Sequence, residues 1–366
     1  MKILALTKYS HLGASSRLRV FQYLGYLRER GDQITVAPLL TDNYLQRLYS
    51  GGRPEWAQVL TAYARRLREL GAAHKTFDLI WMEKELFPWL PAPLEELCRN
   101  ERVRYVVDYD DAIFHQYDNH CCAAVRYILR RKIDCVMSHA DCVVVGNEYL
   151  ASRARRAGAK MIKLVPTAVD LSRYVVTPVE PRKPFTIGWI GTPITAKYLQ
   201  LIGPALRQVY KQVPIELMTV GAGDIDLDIP VRAVSWDENT EVESINNFHV
   251  GIMPLRDGPF ERGKCGYKLI QCMAVGRPVV GSPVGVNSQI IQHGINGYLA
   301  DSKEEWVDAL TKISQDLSLL QKLGTGARNT VESQYSTRTT APRLASIFDE
   351  VCQVASAVGR EKVYTC

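Results

Sequence analysis

A chain of 366 residues, 46% hydrophobic and 23% charged, is too long for one core and too apolar for disorder, so two folded domains are expected. The net charge of +6 is uneven: residues 1–183 carry 28 Lys and Arg against 20 Asp and Glu, net +8, so an anionic lipid, a phosphorylated acceptor or nucleic acid would meet the first half. Nine cysteines, an odd number with no CxxC pair and no Cys/His cluster at zinc-ligand spacing, exclude a disulfide framework and read as reduced thiols.

The opening MKILALTKYS holds one short apolar run, well below a signal-peptide core or a membrane span. A cytosolic chain that meets a membrane only from its surface is expected. Ile3–Leu6, Gln33–Pro38, Asp78–Met82, Val103–Tyr109 and Cys142–Val145 read as strands, most of them apolar throughout, as a parallel sheet covered on both faces requires. Between them Arg17–Arg30 reads as a helix stopped by Gly31. Pro54–Leu70 reads as another, stopped by Gly71, with Trp56, Leu60, Tyr63 and Leu67 along one side. Arg65, Arg66 and Arg68, then Arg130, Arg131 and Lys132, then Arg153, Arg155 and Arg156 form short basic clusters, either solvated helix faces or anion-facing surfaces.

Three prolines between Val175 and Pro184 predict a semi-rigid linker, after which Phe185–Gly191 begins a second round of strands and helices. Strands are expected at Ile215–Val220, Val250–Pro254 and Pro278–Gly281, and helices at Gly266–Val275 and Glu304–Ser314. The expected organisation is two doubly wound α/β domains, 1–174 and 185–340, joined by 175–184. A helical segment 341–366 has a route back to the first domain. Two such domains would face a central cleft.

Chemistry concentrates in three places. Gly263-Lys264-Cys265-Gly266-Tyr267-Lys268 opens a helix, and loop amides at a helix N-terminus beside Lys264 make an anion cradle suited to a diphosphate; the alternative is a tight loop with solvent-facing lysines. It is not a Walker motif. Asp108-Tyr109-Asp110-Asp111 ends a strand, where carboxylates serve as base, hold sugar hydroxyls, bind a metal or cap a helix. Gly13, Ser15 and Ser16, with Arg17 and Arg19 just inside the first helix, read as a second anion site or a plain N-cap. The first strand is not followed by GxGxxG, which argues against a dinucleotide dehydrogenase.

Met273–Asn287 (MAVGRPVVGSPVGVN) followed by His293–Leu299 (HGINGYL) resembles the C-terminal signature of the retaining GT-B glycosyltransferases of family four (group 1), usually EAMAxGxPVVA and then a glycine-rich NGxL turn. Pro166–Asp170 is similar to the family's PNGVD stretch, and Thr7–Arg19 resembles its acceptor-side glycine loop. The resemblance implies a GT-B fold of two Rossmann-like domains and a retaining transfer of a hexose or N-acetylhexosamine from a UDP- or GDP-sugar. It implies a lipid-linked or polysaccharide acceptor of the lipopolysaccharide kind and no nucleic acid partner. Neither cofactor nor metal is expected, and the enzyme would sit peripherally at an anionic inner membrane face. The family's Glu-x7-Glu pair is missing, because Gly263 and Gln271 occupy its positions, and Thr192 stands where an arginine is common.

From this resemblance the donor contacts are expected from Gly191, Thr192, Lys197, Glu261, Gly263, Cys265, Gly266, Tyr267, Lys268 and Gln271. Acceptor contacts are expected from Gly13, Ser15, Ser16, Arg17 and Arg19, and the chemical roles from Asp110, Asp111 and Lys264. Lys264, with Lys197 or Lys268 beside it, is expected to supply the missing positive charge, and Gln271 to bond a ribose hydroxyl. A GT-B protein that binds nucleotide or glycan without transfer, and a GT-B nucleotide-sugar epimerase, are the alternatives.

Overall fold

A computed structural model describes residues 1–49, 52, 55–97, 103–179 and 183–361, and divides the chain into two units: Met1–Thr167 together with the chain from Thr340 on, and Ala168–Thr339. The division therefore falls at Thr167 and not in the proline-rich stretch. Residues 180–182 of that stretch lie outside the described residues. The part before them packs within the second unit, where Arg277 Nη1 donates to the Thr177 carbonyl at 2.8 Å and Thr177 Oγ1 to Asn246 Oδ1 at 2.9 Å.

The first unit holds a six-stranded parallel sheet of β1 (Lys2–Tyr9), β2 (Gln33–Leu40), β3 (Leu79–Glu83), β4 (Arg104–Tyr109), β5 (Cys142–Val145) and β6 (Ile162–Leu164), in the order β2-β1-β3-β4-β5-β6. Alternate residues face opposite sides. Leu4, Leu6, Ile80, Met82, Val107 and Val143 join one core, and Ile3, Ala5, Leu79, Trp81, Val106 and Val144 the other. The second core is closed by the long C-terminal helix (Thr337–Glu361) through Ala341, Leu344, Phe348 and Val351.

Two helix expectations are corrected. Arg17–Arg30 is not continuous: Ala14–Arg19 ends at Val20, whose φ of −126° leaves the helical region, and a 3₁₀ turn Phe21–Tyr23 precedes Leu24–Glu29. Every residue from Ser16 to Val20 is buried, so this turn is packed all round, and the interruption re-aims the chain so that Tyr23, Leu24 and Leu27 face the sheet. The second helix runs Trp56–Thr76, through Gly71, and its expected start at Pro54 lies outside the described residues. Its inward face is Ala62, Arg66, Leu70 and Ala73, while Trp56, Leu60 and Leu67 are exposed.

The basic clusters are only partly solvated. Arg66 is buried and donates to the carbonyls of Thr7 and Ala37, both at 2.9 Å. Lys132 pairs with Glu85 at 2.6 Å and Glu95 at 3.0 Å, and Arg153 bridges Asp134 and Asp118.

The second unit repeats the architecture with β7 (Phe185–Ile190), β8 (Ile215–Val220), β9 (Val231–Val234), β10 (Val250–Met253), β11 (Val279–Gly281) and β12 (Gly297–Leu299), all parallel, in the order β12-β11-β10-β7-β8-β9. The order reverses between β7 and β10. In open α/β sheets that reversal leaves a crevice at the carboxyl ends of the two strands, because their helices depart to opposite faces. In the first unit the corresponding reversal lies between β1 and β3. Gly188 in β7 is required by packing, since a Cβ there would lie 1.9 Å from the Phe248 ring.

Candidate active site

In the first unit, the carboxyl ends of β1, β3 and β4 carry charged side chains that are almost all internally paired. Lys84, in the left-handed region at φ +65° just after β3, points its ammonium at Asp110 Oδ1 (2.8 Å) and donates to Ser15 Oγ at 2.6 Å; Ser15 Oγ donates to Asp110 Oδ2 at 2.5 Å. Burial alone would raise the Asp110 pKa, but Lys84 and the hydrogen bonds from Lys84 and Ser15 outweigh it and hold the carboxyl below its ordinary range. Ser16 Oγ donates to Glu83 Oε2 at 2.5 Å and accepts from the Tyr9 amide at 3.1 Å. Gly13 lets the loop close on Tyr9, whose Cβ would lie 2.4 Å from a glycine Cβ.

This corrects the expected acceptor-side anion site. Arg19 is buried and grips Asp108 with two nitrogens, at 2.6 and 3.1 Å, and the Val165 carbonyl with a third; burial disfavours its charge, and Asp108 more than offsets that. Arg17 is also buried and reaches the His11 carbonyl at 3.4 Å. Ser15, Ser16 and Asp110 come together, but around Lys84 and Glu83. Asp111 is half-buried beside them, its carbonyl accepting from Ile113 N at 2.8 Å. Lys84 and Glu83 were not singled out, although a Glu-Lys-Glu triplet at the end of an apolar strand is a legible signal. His115 bonds Asp118 at 2.8 Å and Tyr149 at 2.9 Å.

In the second unit the reversal point holds a cation. Lys268 is the second residue of the helix Tyr267–Ala274, with its ammonium 3.1 Å from Thr195 Oγ1 and 4.0 Å from the centre of the Trp189 ring. It occupies the space a side chain on Gly191 would need, 2.4 Å from the Cβ position, at the carboxyl end of β7. Among the described residues no carboxylate lies within ion-pair distance of it. Burial first, and the nearby charge of Lys264 second, lower its pKa to about 7. Lys264 is half-buried with its ammonium 4.9 Å from the Phe260 ring, and Lys197 is exposed against Tyr198. Both lysines are half-buried, and the one whose ammonium is set against the Gly191 backbone at the strand end is Lys268 rather than Lys264.

Thr192 is exposed and forms the N-terminal cap of the short helix Pro193–Ala196, its amide accepted by Thr195 Oγ1 at 3.2 Å. Gly263 ends the turn Pro259–Arg262, and Cys265 is half-buried beside it. Gly266 has φ +68°, and a Cβ there would lie 2.4 Å from Ile290, so the chain enters the Lys268 helix only with glycine at this position. Glu261, expected at the donor sugar, is buried and engaged by Tyr198 Oη at 2.5 Å and Arg256 Nε at 2.8 Å.

Gln271 is buried and donates to Tyr174 Oη at 3.2 Å and Glu241 Oε2 at 3.4 Å; the same glutamate accepts from Trp236 Nε1 at 2.9 Å. Tyr267 Oη meets Tyr174 Oη at 3.3 Å. Glu241 therefore puts a buried carboxylate beside the position where Gln271 replaces a glutamate. Trp236 packs beside Gly221, which in turn approaches the Gly191 carbonyl, so these groups converge near the ends of β7 and β8. Trp189, Tyr174 and the pair Trp236 and Glu241 come from three separate stretches, and no local spacing marks them.

Two parallel six-stranded sheets, each with its own covered faces, define a GT-B fold of two Rossmann-like units. Residues 184–316 match the family described as Glycosyl transferases group 1, and the chain carries a domain of that family. It is 29% identical over 93 residues to N-acetyl-alpha-D-glucosaminyl L-malate synthase of Bacillus anthracis, a match covering 25% of this chain and about a quarter (24%) of that relative's length. Among solved structures it is similar to sucrose-phosphate synthase from Thermosynechococcus elongatus (TM-score 0.73, 15% identity, covering 97% of this chain and 100% of that one). It is also similar to Anabaena Alr3699/HepE in complex with UDP-glucose (TM-score 0.70, 16% identity, covering 96% and 100%). No helix among the described residues is long and apolar enough to cross a membrane.

Proposed function

We propose that this chain is a glycosyltransferase that takes a hexose or N-acetylhexosamine from a UDP-sugar and transfers it, with retention, to a lipid-linked or polysaccharide hydroxyl. The observation that carries this reading is Lys268, a half-buried amine held against the Gly191 backbone without a carboxylate among the described residues, at the carboxyl end of β7 where the strand order reverses. A donor diphosphate supplies the missing anion. Lys264 lies near enough to act on the charge of Lys268, and Gln271, backed by Glu241, offers a partner for a ribose hydroxyl. The UDP-glucose complex of the Anabaena protein supports a UDP-sugar over a GDP-sugar.

In the transfer, the bond from the sugar's anomeric carbon to the diphosphate oxygen breaks as a bond to the acceptor oxygen forms on the same face. The departing diphosphate oxygen takes the acceptor proton. Charge builds on the leaving group, so a cation fixed beside it stabilises the transition state more than the ground state. No protein nucleophile, metal or cofactor enters this scheme. Lys268 orients the donor and neutralises the product diphosphate, and with no carboxylate among the described residues to displace it is ready to do so.

Exposed Tyr127 and Ile128, beside exposed Arg130 and Arg131, support contact with an anionic lipid surface. The experiment is incubation with a panel of UDP- and GDP-sugars and short lipid-linked acceptors, with the anomeric configuration of product read by NMR. Product that keeps the donor's anomeric configuration supports the proposal, and an inverted product overturns the mechanism. Tight donor binding without turnover favours the binding-protein alternative, which the loss of both family glutamates at Gly263 and Gln271 supports.

A further inference from the structure

We propose that Glu96, Cys135 and His139 form a binding site for a borderline divalent cation, zinc foremost, on the flank of the first unit. The three donors come from two helices. Cys135 and His139 stand four residues apart on Lys132–His139, hence on one face, and Glu96 comes from Ala92–Leu97. Their ligand atoms lie together: Cys135 Sγ to Glu96 Oε1 is 2.8 Å, Glu96 Oε1 to His139 Nδ1 is 3.4 Å, and Cys135 Sγ to His139 Nδ1 is 3.9 Å.

Zinc bonds of about 2.3 Å to sulfur and about 2.0–2.2 Å to nitrogen and oxygen, at tetrahedral angles, require donor separations of about 3.4–3.6 Å. The three observed edges bracket that range, so side-chain rotation alone closes the site. The Glu96 and His139 side chains are 40% and 45% exposed, so packing does not lock their rotamers. A cavity of about 30 Å³ lies against the trio, lined also by Leu70, Ile80 and Val136.

The chemistry of the trio points the same way. Cys135 Sγ donates to Glu96 Oε1 at 2.8 Å. A dication replaces that proton, which leaves to solvent, and balances the thiolate and carboxylate charges together. His139 Nδ1 now faces the Cys135 carbonyl at 2.8 Å; on binding, the ring turns and moves its hydrogen to Nε2. One turn earlier on the same helix Lys132 already ties to Glu95, the neighbour of Glu96. The cation would add a second tie between the two helices, at their solvent side. Sequence spacing hid the site because its ligands lie far apart in the chain.

The test uses Co²⁺ as a spectroscopic probe and Zn²⁺ in thermal melts of the full chain. Co²⁺ should give a thiolate charge-transfer band that Cys135→Ser abolishes, and His139→Gln and Glu96→Gln should each weaken binding at least about tenfold. Zn²⁺ should raise Tm in the native chain but not in Cys135→Ser, and should release about one proton per ion at pH 7.5. The double variant Cys121→Ser/Cys122→Ser, which removes the exposed cysteines beside His120, should keep the band. A band that survives Cys135→Ser, or disappears with the Cys121/Cys122 change, overturns the proposal. Unchanged affinity in both His139→Gln and Glu96→Gln, which alter only partly exposed groups, does so even if Cys135→Ser fails to fold.

Discussion

Replacing Lys268 by alanine or methionine separates its two effects, on donor binding and on the stability of the empty protein. A charge-assisted contact to phosphate contributes about 1.5–3 kcal/mol, which is about 10- to 150-fold in Kd. Because the leaving diphosphate gains charge during transfer, kcat/KM should fall further, by about two to three orders of magnitude. With the free pKa at about 7, the protonated fraction drops roughly tenfold between pH 6 and pH 8. Donor affinity should weaken by up to about the same factor over that range. Lys268→Arg, always charged, should bind with little pH dependence.

The sign for stability is the reverse. The folded pKa of about 7 lies below the ordinary 10.5, so the unfolded chain holds the extra proton between the two, and ligand-free stability gained from this group rises with pH across that window. At pH 7 and below, Lys268→Met should therefore melt higher than the native chain, by a few degrees, while losing donor affinity. Calorimetric titration with a UDP-sugar at pH 6, 7 and 8, paired with melts of the empty proteins, reads both. A native Kd flat across that range, with Lys268→Ala within twofold of native, would refute the assignment.

Three further outcomes are expected. Glu241→Ala leaves the Gln271 amide, Trp236 Nε1 and Tyr174 Oη without their shared acceptor and should lower stability by about 2–4 kcal/mol in denaturant titration, with Glu241→Gln recovering much of it. Asp110→Asn leaves Lys84 without its nearest counter-charge and should cost about 3–5 kcal/mol. Because the Asp110 carboxyl is held below its ordinary range, the native chain should keep this contribution at neutral pH and lose it only as pH falls below the usual carboxylate values, whereas Asp110→Asn should show no such acid step in pH-dependent melts. Arg130→Glu with Arg131→Glu should reduce co-sedimentation with anionic vesicles at low salt, and equal binding of the pair and the native chain would remove these arginines from any lipid contact.

What the sequence made legible follows from the range over which each signal acts. Strands buried on both faces are nearly continuous apolar runs, so Cys142–Val145 and Ile215–Val220 have the same limits in sequence and structure. The short strands β6, β9 and β12 passed unnoticed: Ile162–Leu164 and Val231–Val234 are half-buried or exposed and mix charge with apolar residues. Trp56, Leu60 and Leu67 fit an inward helical stripe by period, yet the helix turns Arg66 inward because a guanidinium there satisfies two strand-end carbonyls. Gly266 and its helix could be placed from the Gly-Lys pattern. Which lysine is set at the strand end depends on Gly191, Thr195 and Trp189, some seventy residues away in sequence. The pairing of Arg19 with Asp108, likewise, is invisible to any local reading.

The most direct test is a crystal structure of the native chain with a bound UDP-sugar. The sugar-proximal phosphate should lie within hydrogen-bond distance, about 2.7–3.2 Å, of Lys268 Nζ at the carboxyl end of β7. Phosphates lying beyond about 6 Å from Lys268, or a donor bound in the first unit around Lys84, would contradict it.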